Sequence, residues 1–200
     1  MSWIKLISYE EAVGKLKSLY DRVKGPQGNI DNILQVHGLR PHSLEGHMAL
    51  YKNVLHHRDN TIPKWFLENL GVLVSHLNRC DYCVQHHFAG MKRLLNNDER
   101  AQQIWDAIME NSFDKVYDTK ELAAIEYARE LTQYPEEIKS ETIDTLREAG
   151  WDDGEILEIN QVVSYFAYAN RTVQGLGVTT KGDVLGLSPN STENNNWSHH

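Results

Sequence analysis

The chain has 200 residues, 40% of them hydrophobic and 24% charged, with a formal net charge of −8, and is long enough to bury one substantial core. The acidic balance argues against a general binder of nucleic acid or of anionic membranes, since both require a basic surface. The most apolar stretch, residues 162–169, falls far short of the roughly 20 residues that span a bilayer.

Near the start, acidic Glu10 and Glu11 stand where a signal peptide would carry its apolar segment, which predicts a cytoplasmic protein in a reducing compartment. Ser8 and Glu11 have capping-box spacing and open an amphipathic stretch with Val13, Leu16, Leu19, Tyr20 and Val23 on one face. Gly25-Pro26-Gln27-Gly28 breaks it, and a short helical piece follows at 32–36. Pro41 opens a helix with Leu44, Met48, Tyr51 and Leu55 at core spacing, and Pro63 opens another that runs to Leu77. Asn78 and Arg79 read as a joint, after which a helix beginning near Asn78 runs to Leu95. Residues 98–109 form a further helix. Asp118 and Glu121 cap the one containing Leu122, Ile125, Ala128 and Leu131. Residues 142–149 end at Gly150 as a C-cap. A capping box at Asp152–Glu155 starts a long apolar helix through Tyr168 and beyond.

No stretch alternates as a strand would. The expected fold is all-α, a compact domain of about eight helices over residues 1–178, with 1–29 as an N-terminal helical extension and 179–200 as an irregular tail.

The two cysteines, Cys80 and Cys83, are the only ones, and they lie three apart. A disulfide-stapled secreted domain would carry more, spread along the chain. On a helix, residues three apart share a face, so the sulfurs can meet, and His87 follows on that face one turn after Cys83. In a helix starting near Asn78 both sulfurs sit in the first turn, where the free N–H groups and the positive dipole end stabilise thiolate. Three chemistries are open to such a pair. The first is redox or peroxide chemistry. The second is zinc, with His86 or His87 and one of His56, His57 or His76 completing the ligands. The third is a merely structural pair. The usual haem attachment is excluded, because Val84 follows Cys83 where a histidine is needed.

Glu68 stands twelve residues before Cys80, and His87 four after Cys83. This spacing, with the flanking Val74-Ser75, Leu77-Asn78, Tyr82-Cys83-Val84 and His86-His87, resembles the AhpD-like alkylhydroperoxidases of the carboxymuconolactone decarboxylase superfamily, in particular their peroxidase-related branch. Ala149-Gly150-Trp151, Glu155–Glu158, Asn170-Arg171 and Gly182–Leu187 extend the resemblance over most of residues 30–190. It implies an all-helical, homo-oligomeric protein (dimer, trimer or hexamer) that needs no metal, haem or flavin. It further implies that Cys83 attacks a hydroperoxide and becomes a sulfenic acid, that Cys80 condenses with it to a disulfide, and that Glu68 and His87 relay the proton. A dithiol reductant, lipoyl-bearing or thioredoxin-like, reopens the disulfide. Relatives with a histidine between the cysteines differ from this chain, which has Tyr82 there. By analogy with thioredoxin-type dithiols, Cys80 is the alternative nucleophile. Two other functions share these residues: a non-redox lactone decarboxylase-type enzyme, and a redox-sensing or zinc-holding interaction protein.

Other residues have plainer readings. The apolar surroundings of Glu68 suggest burial, and a buried carboxylate needs a partner. His56-His57 reads as a polar helix end, Asn170-Arg171 as a cap at the end of an apolar helix in preference to a carbonyl-binding pair, and Trp151, Tyr165, Phe166 and Tyr168 as core or subunit contacts. Nothing in the spacing of His37, His42 and His47 requires them to line a pocket.

Overall fold

The computed structural model describes residues 2–189 and 196–200; Met1 and residues 190–195, the asparagine-rich part of the expected irregular tail, lie outside the described residues. The helices are α1 (Gly14–Val23), α2 (Asn32–Gln35), α3 (Pro41–Leu55), α4 (Lys64–Leu77), α5 (Asp81–Leu95), α6 (Asp98–Glu110), α7 (Thr119–Gln133), α8 (Ser140–Glu148) and α9 (Asp153–Gly175), with a 3₁₀ turn at Pro135–Glu137. Among the described residues there is no strand, only an isolated antiparallel bridge between Pro189 and His199. The fold is all-α, and no helix among the described residues is long and apolar enough to cross a membrane.

The expected caps form at α7 and α9. Asp118 accepts from the Glu121 N–H at 2.7 Å and Asp152 from the Glu155 N–H at 2.8 Å, each glutamate accepting in return. At the N-terminus the outcome differs. Ser8 and Glu11 do make reciprocal hydrogen bonds, but they close only a turn, because Gly14 takes a left-handed φ of +55° and the helix starts there. Val13 is therefore the N-cap and is 80% exposed, off the buried face that Leu16, Leu19, Tyr20 and Val23 share.

The central helix is α4, buried without interruption from Phe66 to Ser75. A helix apolar all round belongs in the interior, and α5, α7 and α9 cover it. The approach of α9 is close because position 71 is glycine. A Cβ there would lie 2.2 Å from Cε2 of Phe166, whose ring is fully buried and stands edge-on to the His87 ring at 4.5 Å.

Between α4 and α5 the chain reverses in a Schellman turn: the Cys80 N–H donates to Ser75 O at 2.8 Å and the Arg79 N–H to His76 O at 2.9 Å. Arg79 holds the left-handed position, φ +56°, that glycine usually fills. The helix carrying the cysteines thus starts at Asp81, not near Asn78, which is instead the C-cap of α4. Cys80 is the N-cap of α5, and only Cys83 lies in its first turn.

The tail is tied down over long sequence distances. Asp183 accepts from the Asn32 N–H at 3.1 Å, Arg93 donates to Ser188 Oγ at 2.9 Å, and His199 Nδ1 lies 2.9 Å from Val23 O.

The close approach at position 71 gives a test. Gly71→Ala is expected to destabilise the protein by about 1–3 kcal/mol through overpacking, read as a lowered urea midpoint at unchanged m-value, because a ring with no free volume cannot swing aside.

Candidate active site

Glu68 projects from the middle of α4 and His87 from the second turn of α5. They meet inside the bundle, His87 Nδ1 lying 2.6 Å from Glu68 Oε2. The Glu68 side chain is only 2% exposed. Its other oxygen, Oε1, faces His56 Nε2 at 3.4 Å, so the carboxylate sits between two imidazoles. Burial pushes its pKa up, but the attraction and hydrogen bond of His87, with His56 and Arg93 behind them, outweigh this and hold the carboxyl below its usual range. Glu68 is therefore a buried ion.

His56 is not the polar helix end that its sequence suggests. It caps α3, but its ring turns inward and is almost wholly buried. Burial lowers its pKa to about 3 against the pull of Glu68, so it is a neutral imidazole whose two nitrogens lack hydrogen-bond partners.

The cysteines are reduced and 3.4 Å apart. Their mutual hydrogen bond lowers the pKa of Cys80 and, together with burial, raises that of Cys83. Of the two sulfurs Cys80 is thus the more acidic. Asn170 touches both sulfurs. It is not a cap, because α9 continues to Gly175. It is a fully buried link that donates to Ser75 Oγ at 3.0 Å and accepts from Asn78 Nδ2 at 2.9 Å.

The two sulfurs open onto different spaces. Cys83 lines an interior cavity of about 40 Å³ together with Glu68, His87, Tyr51, Tyr165 and His47. Cys80 lines a separate surface groove of about 250 Å³ beside Arg79, Asp81 and Gln174. His47 is stacked on His37 at 4.9 Å, whereas His42 is not at the cavity. Phe166 and Trp151 are core residues, Trp151 stacking on Phe66 at 6.0 Å, and Tyr168 is 41% exposed. Tyr82 donates to Asp183 at 2.6 Å, and His86 Nε2 lies 3.2 Å from the same carboxylate. The tail thus contributes Leu187 and His199 to the cavity wall and Asp183 behind Tyr82 and His86, and Asp31 enters the cavity from the start of α2. None of Asp31, Asp183, His199, Tyr51 or Tyr165 carries a local signal of this placement; an aspartate before a short helix reads as an ordinary N-cap. Among the described residues, no three His, Cys, Asp or Glu side chains converge so as to hold a metal ion, and the zinc arrangement of Cys80 and Cys83 with His56, His57 or His76 is not formed.

No family model matches the chain, and no curated protein does. Solved structures do. A peroxidase-related protein from Ralstonia eutropha JMP134, described as an alkylhydroperoxidase AhpD core, superposes with a TM-score of 0.74 at 18% identity over 91% of this chain and 93% of its own. A peroxidase-related protein from Silicibacter sp. TM1040 gives 0.68 at 21% over 78% and 79%. The debrominase Bmp8 gives 0.71 at 19% over 88% and 91%. At these identities the likeness is one of fold, and the fold is AhpD-like.

The buried histidines make stability depend on pH. Burial lowers the pKa of His47 and His56 to about 3 and that of His199 to about 4. In the unfolded chain each takes a proton near pH 6.5, so the unfolded state binds more protons and stability falls as pH falls from about 6.5. Asp31, which burial pushes up to about 6, works the other way by one proton between about pH 4 and 6. The expected net slope is about 3 kcal/mol per pH unit between pH 6 and 4, measured by urea unfolding at each pH, and His56→Gln should reduce it by about 1.4 kcal/mol per unit.

Proposed function

We propose that the protein is a thiol-dependent peroxidase that reduces small hydroperoxides through a Cys80–Cys83 dithiol/disulfide cycle. The observation that carries this reading is the enclosure of Cys83 in one cavity with the Glu68–His87 pair, while Cys80 lies 3.4 Å away on a separate groove. His87 accepts the first proton of the dithiol, and Glu68 orients its ring and stabilises the imidazolium. The remaining proton, shared between the sulfurs, moves to Cys80 and leaves Cys83 as the thiolate facing the peroxide. Attack of Cys83 on oxygen gives a sulfenic acid, which Cys80 displaces as water to form the disulfide. A lipoyl-bearing or thioredoxin-like dithiol then restores both thiols from the Cys80 side. Glu68, Cys80, Cys83 and His87 are the catalytic set in this reading. In this reading the protein is cytoplasmic, as its N-terminal sequence predicts, and, on the family resemblance, a homo-oligomer.

A second reading rests on the likeness to Bmp8, of which one structure holds 2,3,4-tribromopyrrole, and on the aromatic wall formed here by Tyr51 and Tyr165, whose rings stack at 5.6 Å. A dithiol supplies the two electrons that turn a carbon–bromine bond into carbon–hydrogen and bromide. Size favours the peroxide. A cavity of about 40 Å³ holds about three water-sized groups, whereas cavities that take benzene are about 150 Å³.

Purified protein supplied with a dithiol reductant should consume hydrogen peroxide at least about tenfold faster than cumene hydroperoxide, given that size limit. Cys83→Ser should reduce consumption to background, and Cys80→Ser should stop after one turnover with a dimedone-trappable sulfenic acid on Cys83. Glu68→Gln should slow Cys83 oxidation by about 10²-fold. Wild-type turnover in Cys83→Ser, or release of bromide from a bromopyrrole without any peroxide consumption, would overturn the peroxidase reading.

A further inference from the structure

Asp31 occupies the N-cap of α2, where an aspartate normally turns its carboxylate back to accept from the second or third N–H of the helix. It does not do so here. The donors it would serve are already taken. The Asn32 N–H goes to Asp183 at 3.1 Å, the Ile33 N–H to the Tyr82 hydroxyl at 3.2 Å, and the Leu34 N–H to the carbonyl of Asp31 itself at 2.8 Å. A carboxylate 152 positions along the chain has thus taken over at the start of α2, and the side chain of Asp31 is left to face the cavity that Cys83 lines.

The side chain is 93% buried by the residue's accessible surface, and Oδ1 has no hydrogen-bond partner. Buried acceptors are rarely left so unless a ligand or a proton completes them. Asp183 and His86 are the titratable neighbours. Asp183 is satisfied by Tyr82, His86 and the Asn32 N–H, so of these two carboxylates Asp31 is the one left to act in the cavity. Burial above all, with Asp183, favours its protonated form against His86 and a side-chain hydrogen bond with Asn29, and raises its pKa to about 6.

We propose that Asp31 is a further catalytic residue, the general acid that protonates the departing oxygen of the hydroperoxide. This rests on the peroxidase reading above. The Cys83 thiolate attacks the terminal hydroxyl oxygen: a sulfur–oxygen bond forms, the oxygen–oxygen bond breaks, and its electron pair leaves on the other oxygen. Asp31 delivers its proton there, releasing an alcohol, or water from hydrogen peroxide. Cys83 keeps the hydroxyl as sulfenic acid, and Cys80, with its own proton, displaces it as water. The proton that His87 took from the dithiol returns through solvent to Asp31. One hydroperoxide and two thiols give one disulfide, one alcohol and one water. His87 serves the attacking end and Asp31 the leaving end, from separate elements of the wall.

The test compares a poor leaving group with a good one in single-turnover oxidation of Cys83. Hydrogen peroxide expels hydroxide, and peracetic acid expels a carboxylate that needs no proton. Asp31→Asn should slow the reaction with hydrogen peroxide by about 10²-fold and that with peracetic acid by less than about threefold, and Asp31→Glu should recover most of the loss. The ratio of the two losses is taken on one protein preparation, so a partly unfolded fraction cancels. Equal losses with the two peroxides, or none with either, would overturn the assignment while wild-type turnover still upheld the peroxidase. Wild-type protein inert to both peroxides would overturn the peroxidase reading, and this assignment with it.

Discussion

An ionised carboxylate in the middle of an apolar bundle is unfavourable by several kcal/mol unless it is well partnered, and the surroundings of Glu68 are organised to partner it. His87 holds one oxygen at 2.6 Å and His56 stands 3.4 Å from the other. For His87 to reach it, α5 must lie directly on α4. The Schellman turn through Arg79 achieves this by reversing the chain within three residues. For the His87 ring to stay in place, Phe166 must pack edge-on against it, and that requires glycine at position 71. The carboxylate, the turn and the glycine are thus one arrangement spread over three helices.

The same turn decides how the dithiol is presented. Because α5 begins at Asp81, Cys80 stands at the helix start and Cys83 one turn in, so the sulfurs touch yet face different spaces. Their shared hydrogen bond makes Cys80 the more acidic sulfur, while position gives Cys83 to the cavity. These two observations conflict only if, in the proposed cycle, the attacking sulfur must also be the more acidic one. In that proposal, transfer of a single proton across 3.4 Å exchanges the roles, and location decides which sulfur meets the peroxide.

The helices were legible because apolar residues recur at helical spacing and because Asp118, Asp152 and Gly150 are strong local punctuation. Glu68 and His87 were legible as a pair only through their distance from the cysteines. What could not be read is what depends on contacts between distant segments. His56 looks polar and solvated because periodicity says nothing of which way a terminal ring turns. Asn170 looks like a cap because the apolar run thins there, although its amide satisfies Ser75 and Asn78 from 92 or more positions away. Val13 fits the helical pattern but lies before the left-handed Gly14. The tail carries turn residues and no periodicity, and its contribution of Asp183 and His199 is set by where α2 and α3 stand.

The number of histidines around the cavity raises the question of which can act as a base. Burial holds His47, His56 and His199 neutral down to about pH 3–4, so a proton leaving the dithiol at neutral pH cannot rest on them. The rings of His47 and His199 form uncharged parts of the cavity wall, and the hydrogen bond at the Glu68 carboxylate is made by His87. The difference arises from burial and hydrogen bonding, not from residue type: His56 stands 3.4 Å from Glu68 without a hydrogen bond, whereas His87 makes one at 2.6 Å. In the proposed cycle the proton carrier is therefore His87, on the helix that also carries Cys83.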